Sequence, residues 1–469
     1  MPEPPPSDAR APGLLERLRG RDHTRGSLFA SVVVLAVPSV LMSVFGFGAF
    51  QMFELGFLGQ LGDSAVAAAG ATNQTLRQIF MLFTVGLTVS SQMMISRFVG
   101  MGSVDQAEHM AGQSFLLGAV LALIAALSVG LFPEFFVSLV TQDPEVISQG
   151  VVYVRIVFLT LIVMTAGQMF GSVLNGAGDT VTPMLIGIVQ TPIAVLAQWM
   201  LTFGAFGYSG LGIAGIAIGG VCGGAVSGAI SLWALFSGRC RVHLRARHLL
   251  PDPAALSRLL AFAWQPAMHM VARSLIIIFF MTLAGQLGGK VQAAYTIGLR
   301  IEMLAIMVAF PIANACATLV GQNLGAGDLG RAWRAIRVSC VVELAVLWPA
   351  ALSLFLFRDA AVGLFTQDPE VARMASDYLM FSSGILSFYG LYFVAFRTLQ
   401  AAGDMNSPMI ISVLTAVLLG APMGYVLATQ SGLGAMGMWI ANFVYAVVNA
   451  LLMFGWLLTG RWARRHGSA

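Results

Sequence analysis

From residue 28 onward the chain is built of long apolar runs separated by short breaks of glycine, proline or charge. Runs such as LLGAVLALIAALSVGLF (116–132) show no period-two alternation, so they do not read as the strands of a membrane barrel. A helix needs about 20 predominantly apolar residues to cross the hydrocarbon core. On that measure the pattern predicts twelve spans, at 28–58, 65–96, 105–132, 147–175, 181–206, 211–237, 255–286, 290–320, 329–357, 371–400, 408–430 and 433–459.

The pattern also repeats. TQDPEV occurs at 141–146 and again at 366–371, an offset of 225 residues. At the same offset NGAGDTVTPM (175–184) falls on QAAGDMNSPM (400–409), and Gly100 and Gly102 fall on Gly325 and Gly327. With small drift GQLG at 59–62 meets GQLG at 285–288, and Pro38 meets Pro266. One offset kept over separate patches marks an internal duplication. Six spans per half is an even number, so both halves enter the membrane the same way, as a parallel repeat about an axis along the membrane normal. The predicted fold is an all-α polytopic membrane protein with twelve transmembrane helices in two six-helix lobes around a central cleft. Its expected parts are a disordered tail (1–27), an N-terminal lobe (28–237), a linker (238–258), a C-terminal lobe (259–459) and a short tail (460–469). Within the repeat, Asp143 and Asp368 suit helix N-caps, with Pro144 and Pro369 at the first helical position.

Composition agrees. Hydrophobic residues make up 58% of 469, charged residues 10%, and mean hydropathy is +0.83, more apolar surface than a soluble fold can cover. The charges sit asymmetrically. Arg17, Arg19, Arg21 and Arg25, Arg97, the linker cluster Arg239–Arg258, Arg331, Arg334 and Arg337, and Arg461, Arg464 and Arg465 all fall on one side of the twelve spans. The positive-inside rule makes that side cytoplasmic, with both termini there, in what is expected to be a bacterial inner membrane. Each arginine cluster caps a span, so nucleic acid is not an expected partner. The four cysteines follow no disulfide or zinc spacing, and no HExxH, nucleophile elbow or acid pair on one helix face suggests an enzyme.

TLVGQNLGAGDLGRA (318–332), AAYTIGLRIE (293–302), LNGAGDTVTP (174–183) and FLGQLGDSAVAAAG (57–70) together resemble the multidrug and toxic compound extrusion (MATE) transporters. The resemblance spans roughly residues 28 to 459. It implies secondary active efflux of organic, often cationic, compounds in exchange for protons or sodium ions, by alternating access of the two lobes. Small-molecule substrates and membrane lipids are then the expected partners. No cofactor or metal is expected, and a cleft within one chain is consistent with a monomer.

Ionisable groups inside a span are costly unless paired or hydrated, so each is a functional candidate. Glu54 stands where the resemblance implies an ion-coupling carboxylate in the N-terminal lobe; the alternatives are a carboxylate structurally paired with Arg77 in the next span, or an exposed position on the lumen. Glu54 favours the proton over sodium. Gln51, Asn73, Gln190 and Gln198 are candidates to line the cleft or to bond between helices. Arg300 and Glu302 are two apart and cannot face each other on one helix. His269 and Arg273 are four apart and share a face, which calls for an acid or anion nearby. Sodium-coupled relatives of the resembled family carry C-lobe acids at positions matching Arg273 or Ser274 and Tyr389; no carboxylate stands there. Arg273 and Arg397 leave export of an anionic or lipid-linked substrate as the alternative reading.

Overall fold

The computed structural model describes residues 21–204, 209–238 and 240–464. Residues 1–20 and 465–469 of the expected tails, with Arg17, Arg19, Arg239 and Arg465, lie outside the described residues. So do the side chains of Asn73 and Arg464.

Eleven helices are long and apolar enough to span a membrane, and a bent pair supplies the twelfth. In chain order they are α1 (Leu28–Leu61), α2 (Leu76–Gly100), α3 (Val104–Gly130), α4 (Pro144–Leu159 and Leu161–Ala177), α5 (Val181–Phe203) and α6 (Ile213–Phe236). The second half holds α7 (Pro253–Leu287), α8 (Gly289–Gly325), α9 (Leu329–Gly363), α10 (Pro369–Ala401), α11 (Asn406–Gln430) and α12 (Gly434–Leu458). Span 147–175 is thus two helices bent by 51°, because the backbone leaves helical geometry at Thr160 (φ −103°, ψ 7°).

The repeated sequence folds alike in both halves. Asp143 caps α4 by accepting from Glu145 N, and Asp368 caps α10 by accepting from Glu370 N, each at 2.9 Å. Pro144 and Pro369 open those helices, where the missing N–H costs nothing. At the other face, Gly178 and Gly403 take φ of 88° and 76° as α4 and α10 end, a left-handed turn that glycine adopts freely.

The halves meet mainly through α2 packed on α7 and α8, and α1 packed on α8. Two of the close contacts form a reciprocal pair near the arginine-rich face. A Cβ on Gly100 would lie 2.0 Å from the Gln322 carbonyl oxygen, and one on Gly325 would lie 2.2 Å from that of Arg97. Both pairs are related by the 225-residue offset, so α2 and α8 cross as equivalents and only glycine lets their backbones touch. Polar bonds seal the same level. Gln92 Nε2 donates to Thr318 Oγ1 at 3.1 Å, Thr318 Oγ1 to Asn175 O at 2.8 Å, and Gln322 Nε2 to Gly176 O at 3.1 Å. The named contacts between the halves run from mid-helix (Gly86 on Ala263, Gly48 on Met307) to this face. The molecule is closed on its arginine-rich side.

Candidate functional site

Glu54 lies seven residues before the end of α1 farther from the arginine-rich face, and it is half-buried. Its one hydrogen bond among the described residues comes from Tyr153 Oη on α4, 2.7 Å from Oε1. The alternative pairing with Arg77 is not formed directly: no ion pair joins them, and Arg77 instead acts electrostatically on the same tyrosine. Tyr153 is itself buried, at the centre of a cluster with Leu58, Phe80 and Phe158, so it is a fixed donor rather than a mobile one.

In the C-terminal half Glu302 is buried at 6% exposure, and both of its oxygens are occupied. Tyr378 Oη and Ser382 Oγ donate to Oε2 at 2.8 and 2.9 Å, and Tyr389 Oη donates to Oε1 at 2.7 Å. Arg273 on α7 feels Tyr389, Tyr392 and Glu302 electrostatically. An acid near Arg273 is thus present, on α8 rather than at positions 273, 274 or 389. Local packing makes the arrangement possible: a Cβ on Gly298, one turn before Glu302, would lie 2.0 Å from the Tyr378 ring. Tyr295 and Trp439 box that ring edge-on, with centroids 5.4 and 5.1 Å away.

The remaining candidates separate by burial. Gln51 and Arg300 are exposed, and Gln190 is half-buried. Arg300 and Glu302 indeed point apart. Gln198 is buried and donates to Ile216 O on α6 at 3.3 Å, which makes it an interhelical bond rather than a cleft wall. His269 is buried, stacked on Phe396 (4.3 Å between centroids) and 3.2 Å from Tyr392 Oη. Arg397 was a candidate counter-charge for an anionic substrate, and the structure places it elsewhere. It is 3% exposed and donates to Gln92 and Gln400, both at 2.6 Å, so it belongs to the seal on the arginine-rich side. Tyr153, Tyr378 and Ser382 were not identified from sequence. The repeat carried the signal for two of them, because Tyr153 and Tyr378 are 225 residues apart.

The MatE family model matches residues 28–200 and 266–426, more than half of the chain. Among curated proteins, the chain is similar to a probable multidrug resistance protein NorM of Thermotoga maritima, 23% identical over 84% of this chain and 85% of that one. It is also similar to the multidrug resistance protein NorM of Vibrio cholerae, 24% identical over 80% of this chain and 83% of that one. Among solved structures, one described as the outward-facing conformation of a multidrug resistance MATE family transporter superposes with TM-score 0.86 at 19% identity, over 95% of this chain and 98% of that one. A MOP superfamily transporter from Pyrococcus furiosus, described as having a binding pocket of reverse polarity, superposes with TM-score 0.86 at 18% identity, over 95% of this chain and 97% of that one.

Proposed function

We propose that this chain, which belongs to the MatE family of multidrug and toxic compound extrusion transporters, exports organic solutes in exchange for protons, with Glu54 as the proton-exchanging carboxylate. The observation that carries the proton reading is the setting of Glu54: half-buried, held by one tyrosine hydroxyl and, among the described residues, joined to no cation by an ion pair. In such an exchange the charged carboxylate would hold a cationic solute and its protonation would displace that solute, since closing a lobe over a bare charge costs several kcal/mol. Gain and loss of one proton can therefore bias the two arrangements of the lobes, which is what exchange requires.

The rocking units in this reading are 28–237 and 259–459. The arginine-rich side faces the cytoplasm, both termini included, and the membrane is the bacterial inner membrane. The state described here is then closed to the cytoplasm. The substrate class expected is cationic or amphipathic, drawn from relatives described as multidrug resistance proteins.

The test is transport of a fluorescent lipophilic cation in proteoliposomes under an imposed pH gradient or sodium gradient, for the wild type and Glu54→Gln. Proton exchange predicts movement with the pH gradient alone and none in the variant. Movement with sodium alone would replace the proton. A second reading, export of an anionic or lipid-linked solute, is favoured by Arg300, a cation exposed within a span and in no ion pair among the described residues. Failure of either gradient to move the cation, with transport of an organic anion lost in Arg300→Gln, would select it.

A further inference from the structure

Two short segments outside the spans reach across the closed face, and their positions repeat. His23 and His248 are 225 residues apart, one before α1 and one before α7, and both are buried, at 0% and 3% exposure. His23 Nε2 lies 3.2 Å from the Gly178 carbonyl oxygen of its own half. Its backbone carbonyl and that of Gly26 accept from Arg331 on α9 of the other half, at 3.3 and 3.0 Å. Arg241 ties the same segment down by donating to Arg21 O and Ala177 O at 3.2 and 3.0 Å. On the other side, Gln113 on α3 donates to His248 O and Leu250 O at 2.9 and 2.7 Å and accepts from Asp252 N at 3.0 Å. His109 on α3 lies 3.0 Å from Asp252 Oδ2. A Cβ on Gly112 would lie 2.2 Å from His248 O, so the segment is packed directly on the helix.

The third helix of each half therefore grips the segment that leads into the first helix of the other half. Any motion that parts α7 from α3 and α1 from α9 must break these bonds. We infer that residues 21–26 and 245–252 are paired straps that latch the two lobes together on the arginine-rich face, with His23 and His248 as their buried plugs. This extends the transport reading given above but concerns the closure of one face, which is measurable without transport.

The plugs make the latch sensitive to pH on that side. Around His23 stand Arg21, Asp22, Arg241 and Arg331; around His248 stand Arg245, Arg247, Asp105, Glu108, His109 and Asp252. In the second group Asp105 pairs with Arg247 and also lies 3.8 Å from His248 Nε2, Glu108 accepts from His243 N, and Asp252 lies against His109. Burial pushes His23 down to about 4 and lowers His248 as well. A strap released into water regains the ordinary imidazole value near 6.5. Proton binding thus favours the released form: the latch is at full strength above about pH 6.5 and weakens as pH falls below it.

The experiment uses a chain with Cys222, Cys240, Cys316 and Cys340 replaced and one reporter, Ser96→Cys, in the sealed level of α2. Reaction with a maleimide in detergent is normalised to the exposed position Ser431→Cys. His23→Ala, which loses one hydrogen bond, is expected to raise normalised reactivity about fivefold at pH 7.5, and Arg331→Gln and Gln113→Ala, which lose more, by at least about that much. Arg25→Ala, in the strap but bonded among the described residues only to Asp22, is expected to leave it unchanged. Between pH 7.5 and 5.5 the unaltered straps are expected to show rising reactivity, and the double variant His23→Phe, His248→Phe a flat response. A second background keeps only Cys316, which lies at 0% exposure inside the C-terminal half; its continued silence distinguishes release of the latch from unfolding. Unchanged Ser96→Cys reactivity in all strap variants, or a pH response that survives the double substitution, would overturn the inference. Loss of transport in Glu54→Gln bears on the coupling reading alone.

Discussion

Glu54 in the N-terminal lobe takes one hydrogen bond, from Tyr153, whereas Glu302 in the C-terminal lobe takes three, from Tyr378, Ser382 and Tyr389. The two tyrosines on α4 and α10 occupy equivalent places in the repeat. The charges do not. The acid is on the first helix of the N-terminal lobe and the base, Arg77, on the second. In the C-terminal lobe Arg273 is on the first helix and Glu302, one offset from Arg77, on the second. Duplication kept the hydroxyl donor and exchanged the sign around it. The half-buried Glu54 carboxylate has a single donor among the described residues, which is the setting the proton-exchange proposal rests on. One buried carboxylate with three donors and an arginine in its field is held as a fixed part of the wall.

That contrast breaks most directly in transport. Glu54→Gln is expected to abolish movement driven by a pH gradient, while Glu302→Gln, which keeps an acceptor for some of the three hydroxyls, retains a measurable rate in the same proteoliposome assay. The opposite result would exchange the roles of the two lobes. Stability should rank them the other way. Glu302→Ala strands three buried hydroxyl donors and is expected to destabilise by about 3 kcal/mol, against about 1 kcal/mol for Glu54→Ala, read from thermal unfolding in detergent. Gly298→Ala forces the Tyr378 ring from its box and should cost about 2 kcal/mol by overpacking. The smallest effect sharpens the comparison. Tyr153→Phe removes the one donor to Glu54 among the described residues and is expected to move the pH midpoint of transport by roughly half a unit to one unit. Tyr378→Phe, which leaves Glu302 two donors, is expected to leave that midpoint in place.

The site was less legible in the sequence than the scaffold around it. Glu54 stood out because a carboxylate in an apolar run is conspicuous. Its partner did not, since a tyrosine in a span is ordinary and lies 99 residues away. Arg77 was the alternative partner for Glu54; it forms no ion pair with it and lies in the field of Tyr153. Arg397 looked like a substrate contact and proved to be bound by two glutamine side chains within the closed face.

The sequence by itself determined what is local or periodic. Apolar length set the twelve spans, because each must satisfy its backbone inside the bilayer without help from its neighbours. The 225-residue offset set which positions are equivalent, and the Asp-Pro pairs set where α4 and α10 begin. Only the tertiary structure decided which side chains meet. Glu302 reaches Tyr389 across 87 residues and Gln92 reaches Thr318 across 226. Such pairings depend on the rotation and crossing of whole helices, which small residues at Gly100, Gly325 and Gly298 permit and which no local pattern specifies. The closed arginine-rich face is of the same kind: it is a property of how two equivalent halves are placed against each other.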